Sequence, residues 1–235
     1  MTILKVENLS VAFNNNKVVD DVSFEVKKGE VLAIIGPNGA GKTTLFQALL
    51  GLIPYKGGIE WQKDVKIGYV PQRIDIDIDI PLTVEEFLKL KSEASQKRIK
   101  DILKSIQLDE EILKSGLGEI SVGQRQRLLI AWAIMDYPDV ILFDEPTADV
   151  DIYGQESIYK TVSLLRQKMG LTVILISHDL NVVYQYAKKV LCLNHKNLCI
   201  GTPKEMLQTD QLQKLYGGER SFYVHNHNNN HNNRK

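Results

Sequence analysis

Near its start the chain alternates apolar and polar residues, as in Leu4-Lys5-Val6-Glu7 and Val22-Ser23-Phe24-Glu25-Val26. A period of two puts successive side chains on opposite faces, so these segments read as half-buried strands. Asn14-Asn15-Asn16 and Lys27-Lys28-Gly29 interrupt the pattern as turns, which predicts an antiparallel strand set. The pattern then changes. Val31-Leu32-Ala33-Ile34-Ile35, Val140-Ile141-Leu142-Phe143 and Thr172-Val173-Ile174-Leu175-Ile176 are nearly unbroken apolar runs. Such runs suit a parallel sheet covered on both faces. Between about Gln72 and Leu129 the spacing becomes helical, with amphipathic segments over Thr83 to Ser92 and Gln96 to Leu113. The predicted fold class is α/β: a mainly parallel sheet, an N-terminal antiparallel β subdomain and an inserted helical subdomain over about 73–129. Residues 1–220 are expected to form one domain, and 221–235 a flexible tail rich in His and Asn.

The run ending at Ile35 leads into Gly36-Pro37-Asn38-Gly39-Ala40-Gly41-Lys42-Thr43-Thr44, and Leu45 to Leu50 then reads as a helix. Strand, glycine-rich loop and helix form the setting of a phosphate-binding loop, which makes the core a phosphate-loop NTPase. Backbone N–H groups of Asn38, Gly39, Ala40, Gly41, Lys42, Thr43 and Thr44 would surround an anion, aided by the positive end of the helix. Lys42 is predicted to reach the β and γ phosphates and Thr43 to hold Mg²⁺. By itself the loop specifies a nucleoside triphosphate and nothing more.

Charge narrows the partners. Lys and Arg number 29, as do Asp and Glu, so no net positive charge favours nucleic acid. No apolar run approaches the roughly 18 residues of a membrane span. The start, Met1-Thr2-Ile3-Leu4-Lys5-Val6, has no signal-peptide pattern, so a cytoplasmic protein is expected.

Three further features carry metal-ligand residue types. Cys192 and Cys199 flank His195 in an apolar stretch that reads as a β-hairpin. A structural zinc site needs a fourth ligand, and a cytoplasmic location disfavours a disulfide, so two free thiols are expected. Asp75, Asp77 and Asp79 alternate with isoleucines, and a straight extended run does not converge on a cation. His225, His227 and His231 lie in the Asn-rich tail, which reads first as a solvated segment.

Two more strand ends carry chemistry. Asp144-Glu145 follows one apolar run, and His178 follows another. Adjacent acids at a strand end are costly without a cation. Asp144 fits an Mg²⁺ carboxylate and Glu145 a proton acceptor for an attacking water. A histidine in His178's position can also cap the next helix. Ser121 precedes another predicted helix as a candidate N-cap.

The ordered set Gly36 to Thr44, Gln72, Ile120-Ser121-Val122-Gly123-Gln124, Asp144-Glu145-Pro146-Thr147 and His178 resembles the ATP-binding subunit of ABC transporters. The resemblance runs from Leu4 to about Gly218. It implies ATP and Mg²⁺ as cofactors and a head-to-tail homodimer with two ATP molecules sandwiched between the subunits. Each ATP would meet the phosphate loop of one subunit and Ser121, Gly123 and Gln124 of the other. Phe13 matches the residue that stacks on adenine, with Val18 lining the same pocket. Gln72 matches the glutamine that senses Mg²⁺ and water, Glu145 the general base, and His178 the γ-phosphate contact. Asp151 matches an aspartate that links the two sites. Val122 stands where the family pattern has a glycine; a β-branched residue disfavours positive φ and adds bulk beside the phosphate.

The resemblance also implies partners: a polytopic membrane permease, which would hold the chain at the cytoplasmic face, and indirectly an external metal-binding protein. Gly201 to Leu207, Leu215-Tyr216-Gly217 and the His-bearing tail look like the ATPases of zinc and manganese importers. Import of another substrate remains open, as does a soluble ABC ATPase acting on a ribosome or DNA. A second cassette or a long coiled-coil insertion would favour the latter, and neither is present.

Overall fold

In a computed structural model, described for residues 1–14, 16–72, 81–91, 94–146 and 152–216, two sheets share one core. Strands β1 (Thr2–Phe13) and β2 (Asn16–Lys27) pair antiparallel, and β4 (Lys56–Trp61) joins the outer side of β1. The second sheet has the order β5-β6-β7-β3-β8-β9. Its strands are β3 (Val31–Ile35), β5 (Ile67–Val70), β6 (Val140–Asp144), β7 (Thr172–Ile176), β8 (Lys189–Asn194) and β9 (Lys196–Gly201). All neighbours are parallel except β8 and β9, which form the predicted hairpin.

The unbroken apolar runs have a direct explanation. Val31, Ala33 and Ile35 pack into one core cluster, while Leu32 and Ile34 pack into another. The same alternation holds in β6, where Ile141 and Phe143 face the first cluster and Val140 and Leu142 the second. Strands β3 and β6 therefore bury both faces, which leaves their interior positions apolar. The second cluster takes in the β1–β2 sheet and α1 (Lys42–Leu49), with Leu45 and Phe46 fully buried. Burying each such side chain contributes about 1.5–3 kcal/mol.

The first cluster joins the sheet to the helices. It includes α2 (Val84–Lys91), α3 (Gln96–Ser105), a 3₁₀ turn at Glu110–Lys114 and α4 (Val122–Ile134). It also takes in parts of α5 (Ile152–Met169), α6 (Leu180–Tyr186) and α8 (Thr209–Tyr216), the last of which follows α7 (Pro203–Met206).

The helix expected through Leu113 stops earlier. Gln107 adopts φ 59°, Gln107 N–H donates to Lys104 O, and Leu108 N–H donates to Leu103 O. That pair of bonds is a Schellman stop, here with Gln in the left-handed position that Gly usually fills. The Asp75–Asp79 run, Asp151 and the His-bearing tail lie outside the described residues. Among the described residues no helix is long and apolar enough to cross a membrane.

Candidate functional site

Strands β5, β6, β7, β3 and β8 run parallel, so their carboxyl ends share one edge of the sheet. Open α/β sheets bind ligands at that edge. Gln72, Glu145, His178, the Gly36–Thr44 loop and His195 each follow one of these five ends.

Sterics shape the loop. A Cβ on Gly36 would collide with Leu193 O of β8. Gly41 caps α1 at φ 91°, where a Cβ would lie 2.6 Å from Val18 O. Glycine is therefore required at both places. Lys42 is buried, and its Nζ donates to Gly36 O and Pro37 O, both at 3.0 Å. Its ammonium lies 3.7 Å from Glu145 Oε1. The loop surrounds a cavity of about 500 Å³ lined by Val18, residues Asn38 to Thr44, Gln72 and Glu145.

Glu145 is the convergence point. Gln72 Nε2 donates to its Oε2 at 3.4 Å, and His178 Nδ1 lies 3.6 Å from the same oxygen. The backbone at Glu145 has φ 46°, a left-handed value that costs a non-glycine residue roughly 1–3 kcal/mol. Its N–H donates to Ile176 O of β7, which anchors the turn. His178 does not cap the next helix. Asp179 does, accepting from Asn181 N–H and Val182 N–H, which leaves the His178 ring 62% exposed beside Glu145.

Asp144 lies deeper, at 2% exposure. Burial raises its carboxyl above the usual carboxylate range, opposed by a hydrogen bond from Thr43. Thr43 Oγ1 donates to Oδ1 at 3.2 Å, and Tyr69 O–H donates to Oδ2 at 3.3 Å. A hydroxyl and one carboxylate beside a phosphate cradle suit Mg²⁺, which usually takes one or two carboxylates plus substrate phosphates and water. Among the described residues no group of three or more His, Cys, Asp or Glu is arranged to hold a metal.

The expected contacts at Ser121, Gly123 and Gln124 are not made within one chain. Ser121 caps α4 in a reciprocal box: its Oγ accepts from Gln124 N–H at 3.2 Å, and Gln124 Oε1 accepts from Ser121 N–H at 2.8 Å. This turn borders a separate cavity of about 610 Å³, which shares no lining residue with the loop cavity. Val122 departs from expectation. It is the first helical residue, outside the positive-φ set, with its side chain 51% exposed. Its β-branch therefore strains nothing, and helical geometry rather than a glycine turn accounts for the difference. Phe13 is also apart: it is 45% exposed at the end of β1 and does not line the loop cavity, whereas Val18 does.

The cysteines correct another expectation. Cys192 and Cys199 face each other across β8 and β9, with Cα atoms 4.9 Å apart, and form a disulfide. Direct register across the hairpin supplies the separation a disulfide needs, which composition does not reveal. The turn beyond them braces the loop. His195 N–H donates to Ala40 O, its carbonyl accepts from Asp20 N–H, and its Nδ1 is 3.1 Å from Val18 O.

Tyr69 and Tyr216 carry no signal in the sequence that marks them for the site, and His195 reads there only as a possible zinc ligand. Burial, foremost, pushes the Tyr69 hydroxyl up to about 12. Burial likewise raises Tyr216, opposed by a backbone hydrogen bond from Gly36. Each is one aromatic or ring residue near the end of an element, and local pattern does not distinguish that from packing.

Known proteins give the arrangement its context. The family profile described as ABC transporter matches residues 19–148, more than half the chain. A chain of a metal-chelate type ABC transporter, solved in an inward-facing conformation, is 30% identical with a TM-score of 0.82, over 91% of this chain and 88% of that one. The Clostridium perfringens protein cbiO1, part of the ABC transporter complex cbiONQ, is 28% identical with a TM-score of 0.77, over 91% and 93%. MJ1267, an ATP-binding cassette solved in its ADP conformation, is 27% identical with a TM-score of 0.80, over 93% and 100%. The profile covers more than half of the chain and the solved relatives more than nine-tenths of it: the chain belongs to the ABC transporter family, as an ATP-binding and ATP-hydrolysing subunit.

Proposed function

We propose that the chain powers import of a divalent metal ion, zinc or manganese, as a homodimer docked on a membrane permease at the cytoplasmic face. An external metal-binding protein would deliver the ion. The observation carrying the ATPase part of this reading is the convergence of Lys42, Gln72 and His178 on Glu145 beside an anion cradle. In this proposal Glu145 accepts the proton of the attacking water, and Gln72 and His178 orient it. Lys42 leaves its loop carbonyls for the β and γ phosphates. Thr43 and Asp144 hold Mg²⁺, which neutralises charge on the transferred phosphoryl group when bound. The exposed Phe13 face receives adenine next to Val18.

Gly123 supports the homodimer. It lies in the first turn of α4 outside the positive-φ set, and a Cβ there would meet nothing within 4 Å. Glycine in a helix costs about 0.5–1 kcal/mol relative to alanine, and nothing among the described residues requires it. A phosphate brought by a second copy supplies the reason. The metal-chelate transporter among the solved relatives supports metal as the cargo.

Glu145→Gln tests the chemistry. Steady-state turnover is expected to fall roughly 10²–10⁴-fold with ATP binding retained. Near-normal hydrolysis would reject Glu145 as the base. For the cargo, cells lacking the chain should lose high-affinity uptake of radioactive zinc or manganese. Undiminished uptake of both would reject metal import.

A further inference from the structure

We infer that Tyr69 is a positioning residue for the catalytic cation, fixing the Asp144 carboxylate so that one chosen oxygen faces Thr43. Its role rests on the proposal that Asp144 holds Mg²⁺.

The geometry divides the two carboxylate oxygens between two donors. Thr43 Oγ1 is 3.2 Å from Oδ1, on the side of the phosphate loop. Tyr69 O–H is 3.3 Å from Oδ2. When Thr43 turns to a cation, Oδ1 is released with it, whereas Oδ2 remains occupied. A phenol keeps its proton at neutral pH and so acts as a donor. Asp144 is nearly sealed from water, so an Oδ2 without that donor would bear a desolvation cost. The carboxylate could then rotate, and either oxygen would present itself to the cation.

Tyr69 is held firmly enough for this task. It sits in β5 opposite Leu142 of β6, two residues before Asp144. Its ring meets Phe46 of α1 edge-on, with centroids 6.5 Å apart. Strand register and ring packing thus fix the hydroxyl independently of the phosphate loop. Groups that orient a metal ligand from behind commonly contribute 10- to 100-fold in metal affinity.

The test is the Mg²⁺ dependence of nucleotide binding, read with a fluorescent ATP analogue by titration with and without the cation. In Tyr69→Phe the ratio of affinities with and without Mg²⁺ should shrink about 10-fold. Mn²⁺ bound with the analogue should also show an altered electron paramagnetic resonance spectrum. Ile99→Val serves as the control: it thins the packing of α3 and leaves the Tyr69 hydroxyl and its ring contact intact, and should lower the melting temperature without moving the ratio. Asp144→Asn separates the two levels of the claim. If Asp144→Asn abolishes the Mg²⁺ effect and Tyr69→Phe does not move it, the role of Tyr69 is overturned and that of Asp144 stands. If neither variant moves it, the cation reading of Asp144 falls as well. A Tyr69→Phe protein that only melts earlier, with an unchanged ratio, overturns the inference too.

Discussion

The Gly36–Thr44 loop and the Ser121–Gln124 turn are both helix N-termini, yet they end in opposite conditions. The loop is already drawn around a space: Lys42 is parked on two loop carbonyls, and Glu145 is held among three polar side chains. The Ser121 turn satisfies itself by its reciprocal cap and faces a separate cavity. Gly36 and Gly41 of the loop answer to clashes inside the chain, whereas Gly123 answers to none among the described residues. A residue the fold requires can be told from one a partner requires by asking what an added methyl group would strike. On the proposed reading the first turn is a complete half-site and the second waits for another molecule.

Removing the anchor of the assembled half should produce the largest effect. Lys42→Ala is expected to lower turnover by about 10²–10³-fold, as for loss of a charged donor aimed at developing charge. Ser121→Asp, which places a carboxylate against the proposed phosphate position, should also silence turnover. Mixing the two inactive proteins distinguishes one-chain from two-chain chemistry. If the site is shared, a mixed dimer holds one intact pair of halves and hydrolysis returns. Silence in a mixture shown to dimerise would reject the shared site.

The glycines give a contrast of intermediate size. Gly41→Ala forces a Cβ toward Val18 O from a left-handed backbone, an expected loss of about 1–3 kcal/mol of stability. Gly123→Ala should instead stabilise the single chain by about 0.5–1 kcal/mol while lowering turnover. Thermal denaturation beside ATPase assays reads both. A destabilised Gly123→Ala protein would show that this glycine serves the fold after all.

Much of this was legible in the residues because it depends on local rules. The alternating strands of the first sheet, the buried runs of the second and the loop between Ile35 and Leu45 each carry their period or their steric need in a short window. The capping box at Ser121 was likewise visible as a cap. What escaped depends on register between distant segments. Tyr69 meets Asp144 only because β5 pairs with β6, and Cys192 meets Cys199 only because the hairpin pairs them directly. The early stop at Gln107 escaped for a different reason: its left-handed turn uses a residue with no intrinsic preference for one.

The smallest expected effect makes the finest distinction, because Ser121 has two assignments to separate. Its cap is visible in the chain, and its phosphate contact belongs to the proposal. Ser121→Asn keeps a good N-cap, so the melting temperature should stay close to that of the parent. Ser121→Ala loses the cap at a cost of about 1 kcal/mol. Both remove the hydroxyl. If the hydroxyl meets phosphate, both variants slow turnover to a similar extent despite their different stabilities. If Ser121 serves only as a cap, activity follows stability, and Ser121→Asn hydrolyses ATP like the parent while Ser121→Ala alone declines. A capping turn that tolerates asparagine in the melt but not in the assay would locate the demand for serine outside the chain, where Gly123 already places its own.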